Sequence, residues 1–276
     1  MSETNERVQI RVHDGVADVR LNRPEKMNAL DDAMFQGIIE AGRQLQDDKS
    51  LRAVVLSGEG RAFCAGLDFS GFAGMAGEGD TSEQGSRAAR GVLAKTDRIT
   101  NRAQTAAWVW QELPVPVIAA VHGVAFGGGF QIAMGADIRV VAPDARLSVM
   151  EIKWGLIPDM AGTQTLKNLV RLDVAKELAF TGRVVSGNEA AQLGLATQLS
   201  ETPLEAAMEI AMEIASKSPD AIRANKQLFN QTRELDTAAG FKLEERLQGG
   251  LIGSSNQVEA VRANLQKREP KFNDPE

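Results

Sequence analysis

Two glycine-rich segments hold the residues of this chain whose types and spacing could do chemistry. The first covers residues 60–68 (GRAFCAGLD) and the second covers residues 122–131 (HGVAFGGGFQ). Each follows a predicted strand, and glycine lets backbone N–H groups approach a ligand closely, so the two segments could line one cleft. A helix predicted to begin at about Gly129 adds the positive end of its dipole, which favours a developing negative charge.

Backbone N–H groups that converge on one oxygen form an oxyanion hole, where each donor typically lowers a barrier by about 2.7–4 kcal/mol. The glycine run at 127–129 does not establish such a site alone, because glycines before a helix also serve close packing or phosphate binding. No Lys-Ser or Lys-Thr follows the run, so it is not a Walker A loop. It also lacks the Gly-x-Gly-x-x-Gly spacing of dinucleotide-binding loops.

The thiol and imidazole groups near these glycines are expected to pack rather than to react. Cys64 is the one cysteine of the sequence, and no base lies near it in the motif, so we expect a small buried residue. His122 is expected to pack at a strand end. A single cysteine cannot form a disulfide within the chain. With His13 as the other of only two histidines, a Cys/His zinc site would lack ligands, so no metal is predicted.

The composition indicates a soluble globular chain rather than a nucleic-acid or membrane protein. The 276 residues are 43% hydrophobic and 25% charged, and the net charge is −6. An acidic balance argues against binding to phosphate backbones, and no apolar run is long enough to span a bilayer. Residues 1–6 carry neither a basic nor an apolar stretch, so we expect a cytoplasmic location.

The elements that must position the glycine segments belong to an α/β fold class. Alternating apolar residues around Asp14-Gly15 predict a hairpin, and Asp31 or Asp32 is expected to cap the next helix. A core of residues 1–200 and a helical extension of residues 201–276 are predicted to form one domain unit. Further predictions are strands at 53–56, 117–121, 138–141 and 146–149, helices at about 87–111 and 129–134, a surface segment at 66–83, and mostly helix after residue 159.

Several motifs occur in a characteristic order along most of the chain. They are residues 21–30 (LNRPEKMNAL), 61–68 (RAFCAGLD), 116–123 (PVIAAVHG), 127–129 (GGG), 155–158 (GLIP) with 162–164 (GTQ), and 267–270 (KREP). Together they resemble the crotonase (enoyl-CoA hydratase/isomerase) superfamily. The resemblance implies a spiral of strand–strand–helix repeats, with a C-terminal helical extension through which the chain assembles as a homotrimer or a dimer of trimers.

The resemblance also implies an acyl-CoA thioester as substrate, with coenzyme A as part of the substrate and no separate cofactor. The thioester oxygen would lie between the N–H groups of Ala65 and Gly128, the positions that match the family's oxyanion donors. Removal of a proton from the acyl chain requires that the resulting enolate is stabilised, and a carboxylate then moves the proton. The other residues assigned to substrate binding are Lys26, Met27, Phe63, Cys64, Gly66, Asp68, Gly127 and Gln131.

The acidic residues depart from the pattern of the family's hydratases, which carry two glutamates. Glu151 matches the second glutamate, but Gln131 stands at the first position and cannot exchange a proton at neutral pH. Asp159 matches an aspartate of the family's dienoyl-CoA isomerases, where it pairs with a glutamate at the position of Glu151. Asp159 also follows a proline and precedes a predicted helix, so capping of that helix is an alternative role.

The resemblance in the acids predicts a double-bond isomerase of enoyl- or dienoyl-CoA, in which Glu151 and Asp159 shuttle the proton. An enoyl-CoA hydratase that uses Glu151, with Gln131 positioning the water, is the first alternative. A non-catalytic CoA-binding scaffold is the second.

Overall fold

A computed structural model describes residues 7–68, 94–96 and 98–275. Its main sheet has six strands in the order β1-β2-β3-β4-β6-β9, and a second sheet has three strands in the order β5-β7-β8. The β1/β2 and β7/β8 pairs are antiparallel, and the remaining pairs are parallel. The strands are β1 (Val8–His13), β2 (Val16–Leu21), β3 (Ala53–Gly58), β4 (Val117–Val121), β5 (Val124–Phe126), β6 (Ile138–Val141), β7 (Arg146–Ser148), β8 (Val185–Ser186) and β9 (Gln198–Leu199).

The helices follow the strands and fill most of the chain after residue 159, as the sequence predicts. Asp31 caps the first of them, and its Oδ1 accepts a hydrogen bond of 2.8 Å from the Met34 N–H. The helices are α1 (Asp32–Gln46), α2 (Arg102–Glu112), α3 (Gly128–Met134), α4 (Gly162–Leu166), α5 (Leu172–Thr181), α6 (Gly187–Leu193), α7 (Pro203–Ala215), α8 (Pro219–Thr232), α9 (Thr237–Leu251) and α10 (Ser255–Gln266).

The helix predicted from residue 87 is wrong in its first part, as far as the described residues test it. Helix α2 begins at Arg102, because Asn101 and Gln104 form a capping box in which each side chain bonds the other residue's backbone N–H. Residues 87–93 lie outside the described residues. The surface segment predicted at 66–83 also lies largely outside them.

The main sheet separates two apolar layers. Side chains of β3 alternate between the layers: Val54 and Leu56 face the larger core under α1, α2 and α3, while Ala53 and Val55 face α7. Helix α7 therefore lies directly against the sheet, although the sequence places it in the helical extension. Within the described part of the chain, no helix is both long and apolar enough to cross a membrane.

Candidate active site

The two glycine-rich segments lie side by side, as the sequence predicts. The Cys64 N–H donates to the Val124 carbonyl and the Phe126 N–H donates to the Cys64 carbonyl, both at 3.0 Å, so residues 62–66 run along β5. Gly66 has a φ of 86°, and a Cβ there would lie 2.6 Å from the Phe126 oxygen. A side chain at this position would force the two segments apart.

The expected oxyanion donors occupy adjacent backbone positions, and they differ in their present partners. Gly128 is the first residue of α3, so its N–H has no carbonyl acceptor within the helix. Gly66, next to Ala65, lies against it: a Cβ on Gly66 would be 3.7 Å from the Gly128 nitrogen. The Ala65 N–H instead donates to the Met27 carbonyl at 2.9 Å. A thioester oxygen at Ala65 would have to replace that bond, and the role of both donors stays a prediction.

Glu151 reaches this glycine turn because of the second sheet. Strands β5 and β7 are parallel neighbours, so the residues that follow their carboxyl ends come together. Gly127 follows β5, and Glu151 begins a 3₁₀ turn (Glu151–Trp154) just after β7. A Cβ on Gly127 would lie 3.4 Å from Oε1 of Glu151. The carboxylate therefore stands directly behind the backbone expected to hold the thioester.

Glu151 is a partly buried residue, and one of its two carboxylate oxygens has a hydrogen-bond partner. Its Oε1 accepts a hydrogen bond of 2.6 Å from Nε2 of Gln131. Its Oε2 is buried and accepts no hydrogen bond from the described residues. Burial raises the pKa of Glu151, with the Asp159 charge adding to the rise, whereas hydrogen bonds from its own backbone N–H and from Gln131 oppose it. A raised pKa makes this carboxylate a stronger proton acceptor than an ordinary glutamate.

Asp159 shares this site but does not cap a helix. Helix α4 begins at Gly162, and its N-cap is Ala161, which has a φ of 63° and makes no capping bond through its side chain. The capping alternative for Asp159 is therefore wrong. Asp159 is exposed as a residue, but partial burial of its carboxyl raises the pKa of that group as well.

A cavity of about 720 Å³ extends from Asp159 between α2, residues 157–168 and the end of α8. Asp159 lines it, whereas Glu151 is not among its lining residues in the described chain. Its wall combines apolar side chains such as Trp108 and Ile157 with polar ones such as Gln164 and Arg233. The space is large enough for an acyl group of moderate size.

Side chains predicted to bind substrate lie in three different environments. Phe63 and Cys64 are fully buried, and burial raises the pKa of the Cys64 thiol to about 12, so these two can meet a ligand through their backbone alone. Asp68 forms an ion pair with Arg23 at 2.6 Å. Lys26 and Met27 lie on a turn between β2 and α1, where Lys26 is exposed.

Asn28 holds the first glycine-rich segment in place, and the sequence analysis missed it. Its buried Nδ2 donates to the carbonyls of Glu59 and Ala62 at 2.9 and 2.8 Å, and its Oδ1 accepts from the Arg23 N–H at 2.8 Å. Asn28 has a φ of 55°. An asparagine followed by apolar residues in a polar turn is a signal that could have identified it.

The expected packing roles of Cys64 and His122 fit their contacts. The Cys64 thiol donates to the Asn28 carbonyl at 3.0 Å. Nε2 of His122 lies 2.9 Å from the Gly60 carbonyl, next to the end of β4. Among the described residues, no group of His, Cys, Asp and Glu side chains could hold a metal ion.

Comparison with known proteins identifies the family to which this chain belongs. The family model for enoyl-CoA hydratase/isomerase matches residues 11–275. The human mitochondrial enoyl-CoA hydratase domain-containing protein 2 is 33% identical over 265 residues, 94% of this chain and 85% of that protein. The human mitochondrial methylglutaconyl-CoA hydratase is 32% identical over 265 residues, 94% of this chain and 74% of that protein. The chain belongs to the enoyl-CoA hydratase/isomerase family.

Solved structures confirm the predicted fold class. An enoyl-CoA hydratase from Bacillus anthracis superposes with a TM-score of 0.86 at 31% identity, covering 98% of this chain and 100% of that one. The predicted crotonase-like arrangement of strands and helices is therefore correct, and the protein is an enzyme of this family.

Proposed function

We propose that the protein hydrates 2-enoyl-CoA thioesters, with Glu151 as the group that moves the proton. The observation that carries this proposal is the Glu151 carboxylate, whose Oε1 lies beside Gly127 and whose buried Oε2 has no hydrogen-bond partner among the described residues. A carboxylate in that position can act on a water held above the acyl chain. The names of the relatives, which are hydratases, support the same reaction.

In the proposed reaction the backbone N–H groups of Gly128 and Ala65 hold the thioester oxygen as negative charge develops on it. Glu151 takes a proton from water while the water oxygen bonds to C3 of the acyl chain. The protonated Glu151 passes this proton to Asp159, which delivers it to C2 of the resulting enolate, so both carboxylates are restored. One water is added to the double bond, and charge balances without a cofactor.

Asp159 is the second acid of this proposal. Oε1 of Gln131 accepts from the N–H groups of Met160 and Gly162, each at 2.9 Å, so its amide carbonyl is not available to a water. The Asp159 carboxyl, in contrast, lines the cavity and its charge contributes to the raised pKa of Glu151. We therefore place the water, or its returning proton, between Glu151 and Asp159 rather than at Gln131.

Double-bond isomerisation is a second candidate, favoured by the pairing of Glu151 with Asp159. Two carboxyls beside an enolate could move a proton from one carbon of the acyl chain to another. The Glu151 and Asp159 positions match those of the family's dienoyl-CoA isomerases. Hydration and isomerisation share every part of the site except the water.

Assays on two substrates separate these candidates. Purified protein is incubated with a 2-enoyl-CoA and with a 3,5-dienoyl-CoA in water enriched in heavy oxygen, and the products are weighed by mass spectrometry. Hydration gives a product that is heavier by one labelled water. Isomerisation gives an unchanged mass with a shifted ultraviolet spectrum. Binding of both thioesters without turnover would support the CoA-binding scaffold instead.

The partners and location of the proposed enzyme follow from the family resemblance. We propose an assembly of three or six copies, because large apolar side chains are exposed on the C-terminal helices, among them Phe229, Phe241, Ile252 and Leu265. Sedimentation of the purified chain tests this, since a monomer at micromolar concentration would contradict it. A cytoplasmic location also stays a proposal.

A further inference from the structure

Gln131 stands where hydratases of the family carry an acid, and its contacts suggest a different task. It lies on α3 and is completely buried. Its side chain makes three hydrogen bonds. Nε2 donates to Oε1 of Glu151 at 2.6 Å, and Oε1 accepts from the N–H groups of Met160 and Gly162, each at 2.9 Å. The residue thus joins the 3₁₀ turn that bears Glu151 to the segment that bears Asp159.

The two backbone donors fix the direction of the Gln131 amide. The amide oxygen can accept a hydrogen bond from a backbone N–H group, whereas the NH₂ group cannot. Oε1 must therefore face Met160 and Gly162. The NH₂ group must then face Glu151. Because Nε2 can donate but not accept, this contact favours the ionised form of Glu151 over the protonated form.

We propose that Gln131 is a positioning residue that holds Oε1 of Glu151, assigns Oε2 to proton transfer, and ties the Asp159 segment to the same point. The activity arm of the test rests on the function proposed above. The structural arm does not, because the three hydrogen bonds exist without substrate. Gln131 itself neither gives nor takes a proton.

A glutamate at position 131 would keep one half of this arrangement and destroy the other. Its carboxylate could still accept from Met160 and Gly162, but a second oxygen would stand close to Oε1 of Glu151. Two carboxyls at such a separation share one proton over part of the pH range, so one of the two pKa values of the pair rises. A methionine, which has a similar shape, would lose all three bonds.

Other charged groups near Glu151 must not be confused with this effect. Asp159 faces it from the segment before α4 and adds to its raised pKa. Lys153 follows on the same turn and lies 5.4 Å from the Trp154 ring. Helix α5 packs against the turn and carries Glu177, which is paired with Arg183. All these groups are unchanged when Gln131 is replaced, so they serve as a constant background.

The experiment compares wild type with Gln131→Glu and Gln131→Met in the full chain. Hydrogen–deuterium exchange of a peptide covering residues 157–164 reports on the Met160 and Gly162 N–H groups. We expect fast exchange in Gln131→Met and wild-type protection in Gln131→Glu. Infrared titration of the Glu151 carboxyl, identified by its loss in Glu151→Gln, should show its pKa raised in Gln131→Glu by about one unit or more.

The kinetic arm uses the same variants on the enoyl thioester. For Gln131→Glu we expect the acidic limb of the kcat profile to move to higher pH, so that kcat on that limb falls by about 10-fold for each unit of the shift while KM changes little. For Gln131→Met we expect a smaller displacement of the acidic limb in the same direction, because the donor to Oε1 of Glu151 is lost, and a fall in kcat that persists on the pH plateau because Glu151 is no longer held in place. If Gln131→Met does not fold, Gln131→Glu still tests the donor half alone.

Two results would overturn the proposal. One is wild-type exchange at residues 157–164 together with wild-type kcat in Gln131→Met. The other is a gain of activity in Gln131→Glu, which would mean that the site accepts a second acid there. If wild-type protein turns over no enoyl thioester, the proposed function fails, while exchange and infrared titration still decide the role of Gln131.

Discussion

Lys226 and Glu151 are two charged side chains that differ in how many of their hydrogen-bonding positions are filled by the protein. Lys226 on α8 is buried, and its three ammonium protons are all used: Nζ donates to the carbonyls of Trp110 and Val115 at 2.9 Å and to Oδ2 of Asp137 at 2.7 Å. Glu151 has one oxygen bonded to Gln131, and its other oxygen has no partner among the described residues. The protein therefore satisfies every hydrogen-bond donor of the Lys226 ammonium, whereas, within the described part of the chain, one oxygen of Glu151 remains free to bind a ligand.

The direction of a pKa shift does not separate these two regions. Burial lowers the pKa of Lys226 and raises the pKa of Glu151, so both groups are pushed towards their neutral forms. The two regions differ instead in the number of hydrogen-bonding positions on the charged group that have no partner among the described residues. A fully paired buried charge fixes the chain, while a buried charge with an open lone pair can exchange a proton with a ligand. Substituting each residue should therefore give opposite kinds of effect.

The largest expected effect is on turnover in Glu151→Gln. The amide keeps the shape of the side chain and a carbonyl that can accept from Gln131, but it cannot take a proton. We expect kcat/KM to fall by about 10²–10⁴-fold. Steady-state kinetics with the enoyl thioester measure the fall.

Binding of acyl-CoA by the same variant is the control for this substitution. A dissociation constant close to that of wild type, measured by calorimetry, would place the defect in chemistry. Activity within a factor of a few of wild type would show that Glu151 does not take part in the mechanism. Its role would then be structural, like that of Lys226.

The next effect concerns stability in Lys226→Met. Removal of one partner from a buried ion pair is expected to cost about 3 kcal/mol in the free energy of unfolding. We place it at the low end of the known range, because Asp137 keeps the Val117 N–H bond of 2.8 Å and is partly exposed. Urea denaturation measures the loss.

The matched control is the double variant Lys226→Met with Asp137→Asn. It removes the uncompensated charge and should recover part of the lost stability. An unfolding midpoint of Lys226→Met equal to that of wild type would show that pairing is not what holds this region together.

The sequence predicted what depends on neighbouring residues and missed what depends on distant ones. The hairpin at Asp14-Gly15, the cap at Asp31 and the apposed glycine segments follow from local rules, and family motifs located Glu151. Met160 and Gly162, which donate to Oε1 of Gln131, lie about 30 residues further along the chain. Nothing in the sequence of that segment indicates that its backbone N–H groups bind a side-chain amide. The burial of Lys226 on α8 also depends on distant residues, because its carbonyl acceptors lie on α2 and on the loop that follows α2.

A smaller change in turnover is expected for Asp159→Asn. Asp159 is exposed at the cavity wall and its charge acts on Glu151, but we assign it the return of the proton rather than the first transfer. We expect kcat to fall by about 10²-fold, the low end for a general acid. Rapid-quench measurement of a single turnover would locate the fall in the chemical step. Unchanged kcat with a changed KM would make Asp159 a wall of the acyl cavity instead.

The smallest effect is the change in stability of Glu151→Gln with pH, and its sign separates the two regions most directly. The pKa of Glu151 is raised in the folded chain, so its contribution to stability is present below the ordinary glutamate pKa and is lost as pH rises through the raised value. Glutamine stays neutral and avoids that loss. The variant should therefore melt slightly above wild type at neutral pH and together with it in acid, as differential scanning calorimetry can measure. Lys226→Met also removes a buried charge, yet it destabilises the chain, because three acceptors lose their donor. A Glu151→Gln variant less stable than wild type at neutral pH would mean that Glu151, like Lys226, is held for structure.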